Sequence, residues 1–166
     1  MLTHVLSAVQ TLGLPVTLVT NTPERHAAFG LPMVSDVRAT GGPLAGLLTA
    51  LMPAEAWVMV VACDMPRIRP AVLHHLWQVA AGDKVHGAVI PRFGGQTHPL
   101  LGVYHRRCLP AIYEQLDAGQ WALHALLARI SVRWVEEDEL LPLDPHGESF
   151  ANLNTPDDVR RWQGEA

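Results

Sequence analysis

The sequence is short of cysteine, of positive charge and of long apolar runs, and each shortage removes a class of protein. Its two cysteines, Cys63 and Cys108, lie far apart and form no CxxC. That excludes a disulfide framework and paired-cysteine zinc ligation, and it points to a reducing compartment, the cytoplasm. Lys and Arg number 12 against 16 Asp and Glu, a net charge of -4. A general polyanion binder needs a basic face, so no nucleic-acid partner is expected, although a local basic pocket stays compatible with this balance. The longest strongly apolar run is Ala56 to Cys63, far below the roughly 20 residues of a membrane span, and no membrane role is expected. The opening "MLTHVLSAVQTLG" has polar residues throughout and no cationic start, unlike a signal peptide.

What is present is a good core-former. The chain has 166 residues, 49% of them apolar, the size of one domain able to bury a sizeable interior. Leu2, Val5, Leu6, Val9 and Leu12 follow helical spacing until Gly13. "PVTLVTN" (15–21) and "LPMVSD" (31–36) read as strands, with "TPERHAAFG" between them as a short helix capped by Thr22 and ended by Gly30. A helix over 43–52 follows "VRATGG", and "WVMVVAC" (57–63) is a strand apolar on both faces. Such a strand suits the middle of a parallel sheet covered by helices on each side. Helical patterns recur at 70–80, about 108–118 and 121–130, and "TPDDVRRWQ" carries a capping box from Thr155 to Asp158. Strands are expected at 86–91, at 98–105 (antiparallel to the one before it) and at 132–138, with 150–154 extended. Alternation of this kind predicts a three-layer α/β/α Rossmann-like fold with a mostly parallel sheet and right-handed crossovers.

In open α/β sheets ligands bind beyond the carboxyl ends of the strands. The first three strands end on Asn21, Asp36 and Cys63-Asp64. Asp64 follows a largely apolar run and precedes Pro66, so its carboxylate needs a partner or an ion. A carboxylate there suits Mg²⁺, which takes one or two protein carboxylates and completes its shell with water and phosphate oxygens. Asn21 and Asp36 serve either as turn and cap residues or as ligand contacts. "GGPLAG" is either a plain helix start after a flexible turn or a set of free amides for an anion. His98 either makes a turn or faces the ligand from a strand start. His74, His75 and His86 read as surface or boundary residues, the cysteines as core, and "EEDE" (136–139) as a solvated face.

"GGPLAGLLTAL", "VVACDMP", "HPLLGVYHRRCLP" and "FANLNTPDD" occur in the order and spacing seen in molybdenum cofactor guanylyltransferases, the MobA family of nucleotidyltransferases, and the sequence resembles that family from residue 1 to about 160. The resemblance implies a fold of the nucleotide-diphospho-sugar transferase kind. It implies transfer of GMP from GTP, with Mg²⁺, to the molybdopterin-bound molybdenum cofactor, releasing pyrophosphate. It assigns Asn21 and Asp36 to the GTP, Asp64 to the metal and the nucleotide phosphates as the catalytic residue, and Asn152 and Asn154 to the pterin side. It also implies transient contacts with cofactor-insertion proteins or chaperones.

The sequence departs from that family at its start. Members open with a strand and a signature close to L-A-G-G-x-S-x-R-M-G, then a lysine, which together wrap the triphosphate. Here the first pattern is already the helix, with no glycine-rich loop before it. The expected reading is one nucleotidyltransferase domain over 1–166, incomplete by about 20 residues at its N-terminus, its first strand missing. A late start, a truncation, a degenerate binder, or a phosphate grip supplied by another subunit each accounts for this, and the chain as given is expected to transfer poorly. The alternatives are a CTP-using sister enzyme and a non-catalytic nucleotide- or pterin-binding homologue.

Overall fold

A computed structural model describes residues 1–151. Its first element is helix α1 (Leu2–Gln10), closed by Gly13 at φ 65°. Two short strands, β1 (Leu18–Val19) and β2 (Met33–Val34), pair in parallel. The segment between them forms two 3₁₀ turns, Pro23–Arg25 and Ala27–Phe29, rather than the expected α-helix. Thr22 makes no side-chain cap; its amide instead donates to Thr20 Oγ1 at 3.2 Å. A two-strand ribbon leaves few partners for an intervening helix to bury against, and a short apolar stripe does not hold one without packing.

The remaining elements are α2 (Gly42–Leu51), β3 (Trp57–Val61), α3 (Pro70–Gly82), β4 (Ala88–Phe93), β5 (Gln96–Thr97) and β6 (Leu101–His105), then α4 (Leu109–Asp117), α5 (Leu123–Leu127), β7 (Val132–Val135) and α6 (Glu137–Leu140). Five strands form one sheet in which β6 lies between β3 and β4, while β5 and β7 also pair with β4. The alternation along each strand sorts the core into two layers. Val89, Val103 and Val135 face α1 and α3, while Ala88, Ile90 and Tyr104 face α2, α4 and α5. The α/β/α architecture is therefore as expected. Among the described residues no helix is long and apolar enough to cross a membrane.

The expectation of a mostly parallel sheet needs correction. Only β4–β7 is parallel in the larger sheet; β3–β6, β4–β6 and β4–β5 are antiparallel. The reason is the turn at Gly94-Gly95, where both glycines have positive φ (59° and 72°). Such a pair favours a two-residue hairpin. It sends the chain back along β4, and β6 then returns between β4 and β3. Strands β3, β4 and β7 still share one direction, but the intruding β6 makes most ladders antiparallel. β3 is the last strand on the sheet's hydrogen-bonded path, and all five of its residues are only half-buried. An apolar run was sufficient to identify the strand and insufficient to place it.

The acidic run is also more than a solvated face. Glu136 and Glu139 form a reciprocal capping box on α6, and Glu139 pairs with Arg133 at 2.8 Å. Cys108 is buried as expected, its thiol donating to the Gly87 carbonyl at 3.0 Å and pushed up to about 11 by burial. Cys63 is not core: it sits on the surface turn after β3. Its thiol is raised above the ordinary value by desolvation first and by the Asp64 charge second, so it is a poor thiolate at neutral pH.

Candidate functional site

The ends of β1 and β2 meet because the two strands run in register, Leu18 beside Met33 and Val19 beside Val34. Two residues on, Asn21 and Asp36 make a reciprocal pair. Asn21 Nδ2 donates to Asp36 Oδ2 at 2.8 Å, and the Asp36 amide donates to Asn21 Oδ1 at 3.0 Å. The cap reading of Asn21 is therefore incorrect for the turn that follows it, since its side chain is spent on the neighbouring strand end. Asp36 keeps a second oxygen, Oδ1, buried and without a hydrogen-bond partner among the described residues. That oxygen lies over α2, where a Cβ added at Gly46 would come within 3.5 Å of it. The next amide, Val37, donates to Thr49 Oγ1 at 3.0 Å, which ties the strand end to the same helix.

Helix α2 begins without a side-chain cap, on Gly41 (φ 131°) and Gly42 (φ 53°), with Pro43 in its first turn. Its first backbone N–H groups have no intrahelical acceptor, as in any helix, and so can receive an anion's oxygens. Gly41 has no room for a side chain: a Cβ there would lie 2.8 Å from Leu116 Cδ2 and 3.1 Å from Ala45 Cβ.

Asp64 stands in the turn that leaves β3, between exposed Cys63 and buried Met65 and Pro66. The carboxylate is half-buried, and its Oδ1 is buried without a hydrogen-bond partner among the described residues. An ionised oxygen left so is costly unless an ion or ligand completes it. No group of three or more His, Cys, Asp or Glu side chains able to hold a metal exists among the described residues. Asp64 can offer a hard cation a carboxylate oxygen, and an ion such as Mg²⁺ takes one or two protein carboxylates and fills its other positions with water and phosphate oxygens. The donor set fits such an ion.

Next to this turn opens a cavity of about 550 Å³, with Met65 and Pro43 on its wall together with Thr97, His98, Trp121, His124 and Phe150. It places the residue after Asp64 and the start of α2 on one space. His98, for which both a turn and a ligand-facing role were open, is on that wall; its Nε2 is 3.4 Å from the Phe93 carbonyl. Burial holds its imidazole below the ordinary histidine value, against the raising effect of that carbonyl, so it is neutral at pH 7. His74 is exposed and His75 and His86 are half-buried, in line with boundary positions. Asn152 and Asn154 lie outside the described residues.

Sequence reasoning missed two supports of this site. Asp144, fully buried, accepts from the Ser149 amide at 2.7 Å and pairs with Arg69 Nε at 3.2 Å, while the Arg69 amide donates to Ser149 Oγ at 3.0 Å. These bonds hold the chain just before Phe150, whose ring stacks on Phe93 with centroids 4.6 Å apart. Trp121 was the second omission, read only as the start of a helix; α5 begins after it, and the indole is left in the preceding loop. No local pattern in the sequence marks either one.

Residues 1–134 match the MobA-like NTP transferase domain. A probable molybdenum cofactor guanylyltransferase of Pelotomaculum thermopropionicum is 36% identical over 137 residues, covering 82% of this chain and 65% of the relative. The molybdenum cofactor guanylyltransferase of Syntrophotalea carbinolica is 32% identical over 149 residues, covering 89% of this chain and 70% of the relative. The chain therefore spans about two thirds of the length of these curated relatives. Among solved structures, molybdopterin-guanine dinucleotide biosynthesis protein A of Archaeoglobus fulgidus superposes with a TM-score of 0.79 at 25% identity, over 96% of this chain and 84% of that one. With a family match that takes in β1 to β6 and most of β7, and with the strand-tip acid, the glycine turn and the paired Asn21 and Asp36 all inside it, the chain belongs to the MobA-like NTP transferase family.

Proposed function

We propose that the chain transfers GMP from GTP to the phosphate of a molybdopterin-type cofactor in the cytoplasm, releasing pyrophosphate. The observation that carries this reading is the half-buried Asp64 with an unpartnered oxygen, one residue from a cavity that also touches the first turn of α2. The names of the relatives supply the acceptor and the base; the residues supply the chemistry.

Donor and acceptor are both phosphates and repel each other. Nucleotidyl transfer is thus mainly a matter of positioning and of charge neutralisation. Asp64 is the anchor for a divalent cation, in this reading Mg²⁺, which when bound neutralises phosphate charge and steadies the departing pyrophosphate. The work of Asp64 in this reading is to fix the position of positive charge at the tip of β3. The Asn21 and Asp36 pair is assigned to the guanine nucleotide; its two mutual hydrogen bonds fix Asn21 beyond β1 and β2, and the amide's remaining hydrogen and lone pair are the groups a base edge would meet. The amides of the α2 first turn face phosphate oxygens. Asn152 and Asn154 are assigned to the pterin side. The product passes to cofactor-insertion proteins or chaperones by transient contact.

The test is Asp64→Ala, read by GMP transfer from labelled GTP and by calorimetric binding of GTP with and without Mg²⁺. The expected result is loss of most turnover and of the gain in affinity that Mg²⁺ confers, with metal-free GTP binding close to wild type. Transfer at near wild-type rate in this variant refutes the role of Asp64. Transfer of CMP in preference to GMP by the wild-type chain refutes the choice of base.

A further inference from the structure

The cavity beside Met65 has an unusual wall for a site that handles only phosphates. Trp121 lies at its rim with 52% of its surface exposed. A large apolar side chain left in this way on a loop is uncommon unless it meets something. The loop is not slack: Gln115, fully buried, donates from Nε2 to the Ala122 carbonyl at 2.9 Å, and the Gln120 amide donates to the Gln115 carbonyl at 2.9 Å. The indole is thus carried by a pinned segment.

Two imidazoles on the same wall present polar edges. His124 Nδ1 shares a hydrogen bond with Thr97 Oγ1 at 3.1 Å, which leaves Nε2 as the nitrogen not engaged by Thr97. His98 is oriented by the Phe93 carbonyl and by the Phe150 ring, 4.9 Å away between centroids. No Asp or Glu is among the residues lining the cavity. A volume of about 550 Å³ is within the range of small-molecule sites and exceeds what a phosphate alone fills. An aromatic wall, imidazole nitrogens able to donate or accept, and no carboxylate together suit a flat heterocycle with a hydrogen-bonding rim and an anionic tail.

We propose that this cavity seats the flat bicyclic ring of the acceptor, with Trp121 as its stacking wall and His98 and His124 reading its edge, and that the acceptor's phosphate points toward the Met65 and Pro43 end. The inference rests on the guanylyl-transfer reading, since that reading makes the acceptor a pterin. It assigns specificity for the acceptor to residues remote in sequence from the strand-tip acids.

The experiment uses the full chain, 6-hydroxymethylpterin as the probe and MgGTP as the control ligand. Tryptophan emission and calorimetry are recorded for wild type, Trp121→Phe and Trp121→Ala. The expected result is quenching by the pterin in wild type. Trp121→Phe should lose the part of that quenching due to Trp121, the other four tryptophans remaining, while its affinity stays within about threefold, because a ring still stacks. Trp121→Ala should bind the pterin about tenfold more weakly or worse, as loss of base–aromatic stacking does elsewhere. MgGTP affinity should be unchanged in both. The inference is overturned if the wild type binds no pterin, if the quenching is undiminished in Trp121→Phe, if Trp121→Ala binds the pterin normally, or if MgGTP binding falls instead, which makes the cavity a base pocket. Failure of the underlying reading shows differently, as a wild-type chain that neither binds MgGTP nor transfers GMP. Should Trp121→Ala fail to fold, Trp121→Phe still decides.

Discussion

Gly41 is the position where the start of α2 is most exposed to a single change. Replacing it with alanine adds one methyl group in two kinds of trouble. The backbone there has φ 131°, outside any region that an L-residue occupies comfortably, which costs about 1–3 kcal/mol. The new Cβ would also stand 2.8 Å from Leu116 Cδ2 and 3.1 Å from Ala45 Cβ. Leu116 can yield only by giving up packing in the α2–α4 layer, where it is 6% exposed; overpacking of this order adds about 1 kcal/mol. The sum is about 2–4 kcal/mol, a large part of a typical domain's stability. With a urea m-value of about 2 kcal/mol/M, the midpoint should fall by about 1–2 M. Gly30→Ala is the control. Gly30 has φ 63° and nothing within 4 Å of its notional Cβ, so it carries left-handed strain alone, about 1 kcal/mol or a 0.5 M shift. A Leu116→Ala background should relieve the contact in Gly41→Ala and leave the strain. The reasoning is refuted if Gly41→Ala and Gly30→Ala shift the midpoint equally, or if the Leu116 background shows no coupling.

Two further outcomes follow from packing and charge. Gly102→Ala should destabilise by about 1–3 kcal/mol, because its Cβ would meet Ile90 Cδ1 at 2.5 Å and the Val89 carbonyl at 3.2 Å; an Ile90→Val background should recover part of the loss in the same urea titration. Burial pushes the Asp144 carboxyl up, but the Ser149 hydrogen bonds, the Glu148 amide and the Arg69 charge prevail and hold it below the usual carboxylate value. Its folded-state value is thus lower than its unfolded one, so its contribution is present above about pH 4 and is lost as pH falls through the folded value. Thermal melts from pH 6 to pH 2.5 should show a steeper acid decline for the wild type than for Asp144→Asn, and equal slopes would remove Asp144 from the account.

Much of the site was legible because its signals are local. An acid after an apolar run, followed at once by Pro66, declares a strand end with something to hold. Asn21 and Asp36 were visible as polar strand tips, yet their mutual hydrogen bonds needed the parallel register of β1 and β2. The Gly94-Gly95 hairpin was readable as a turn, and so was the antiparallel return of β6.

Other features have no local signature, since they join residues far apart in the chain. Arg69 and Ser149, 80 residues apart, together set the chain just before Phe150, and no spacing rule connects them. Trp121 reads as one more apolar residue at the head of a helix until the cavity shows it beside His98 and Phe150. By itself the sequence determined most of the helices and strands and the acid after β3, because periodicity and turn chemistry act within a few residues; it did not separate the 3₁₀ turns at Pro23–Arg25 and Ala27–Phe29 from an α-helix. Only the tertiary structure decided that β6 lies between β3 and β4, that β3 ends the path and is half-buried, and that an indole and two imidazoles share one cavity. Those outcomes depend on where packed layers bring distant segments together, and short-range propensity carries no information about that.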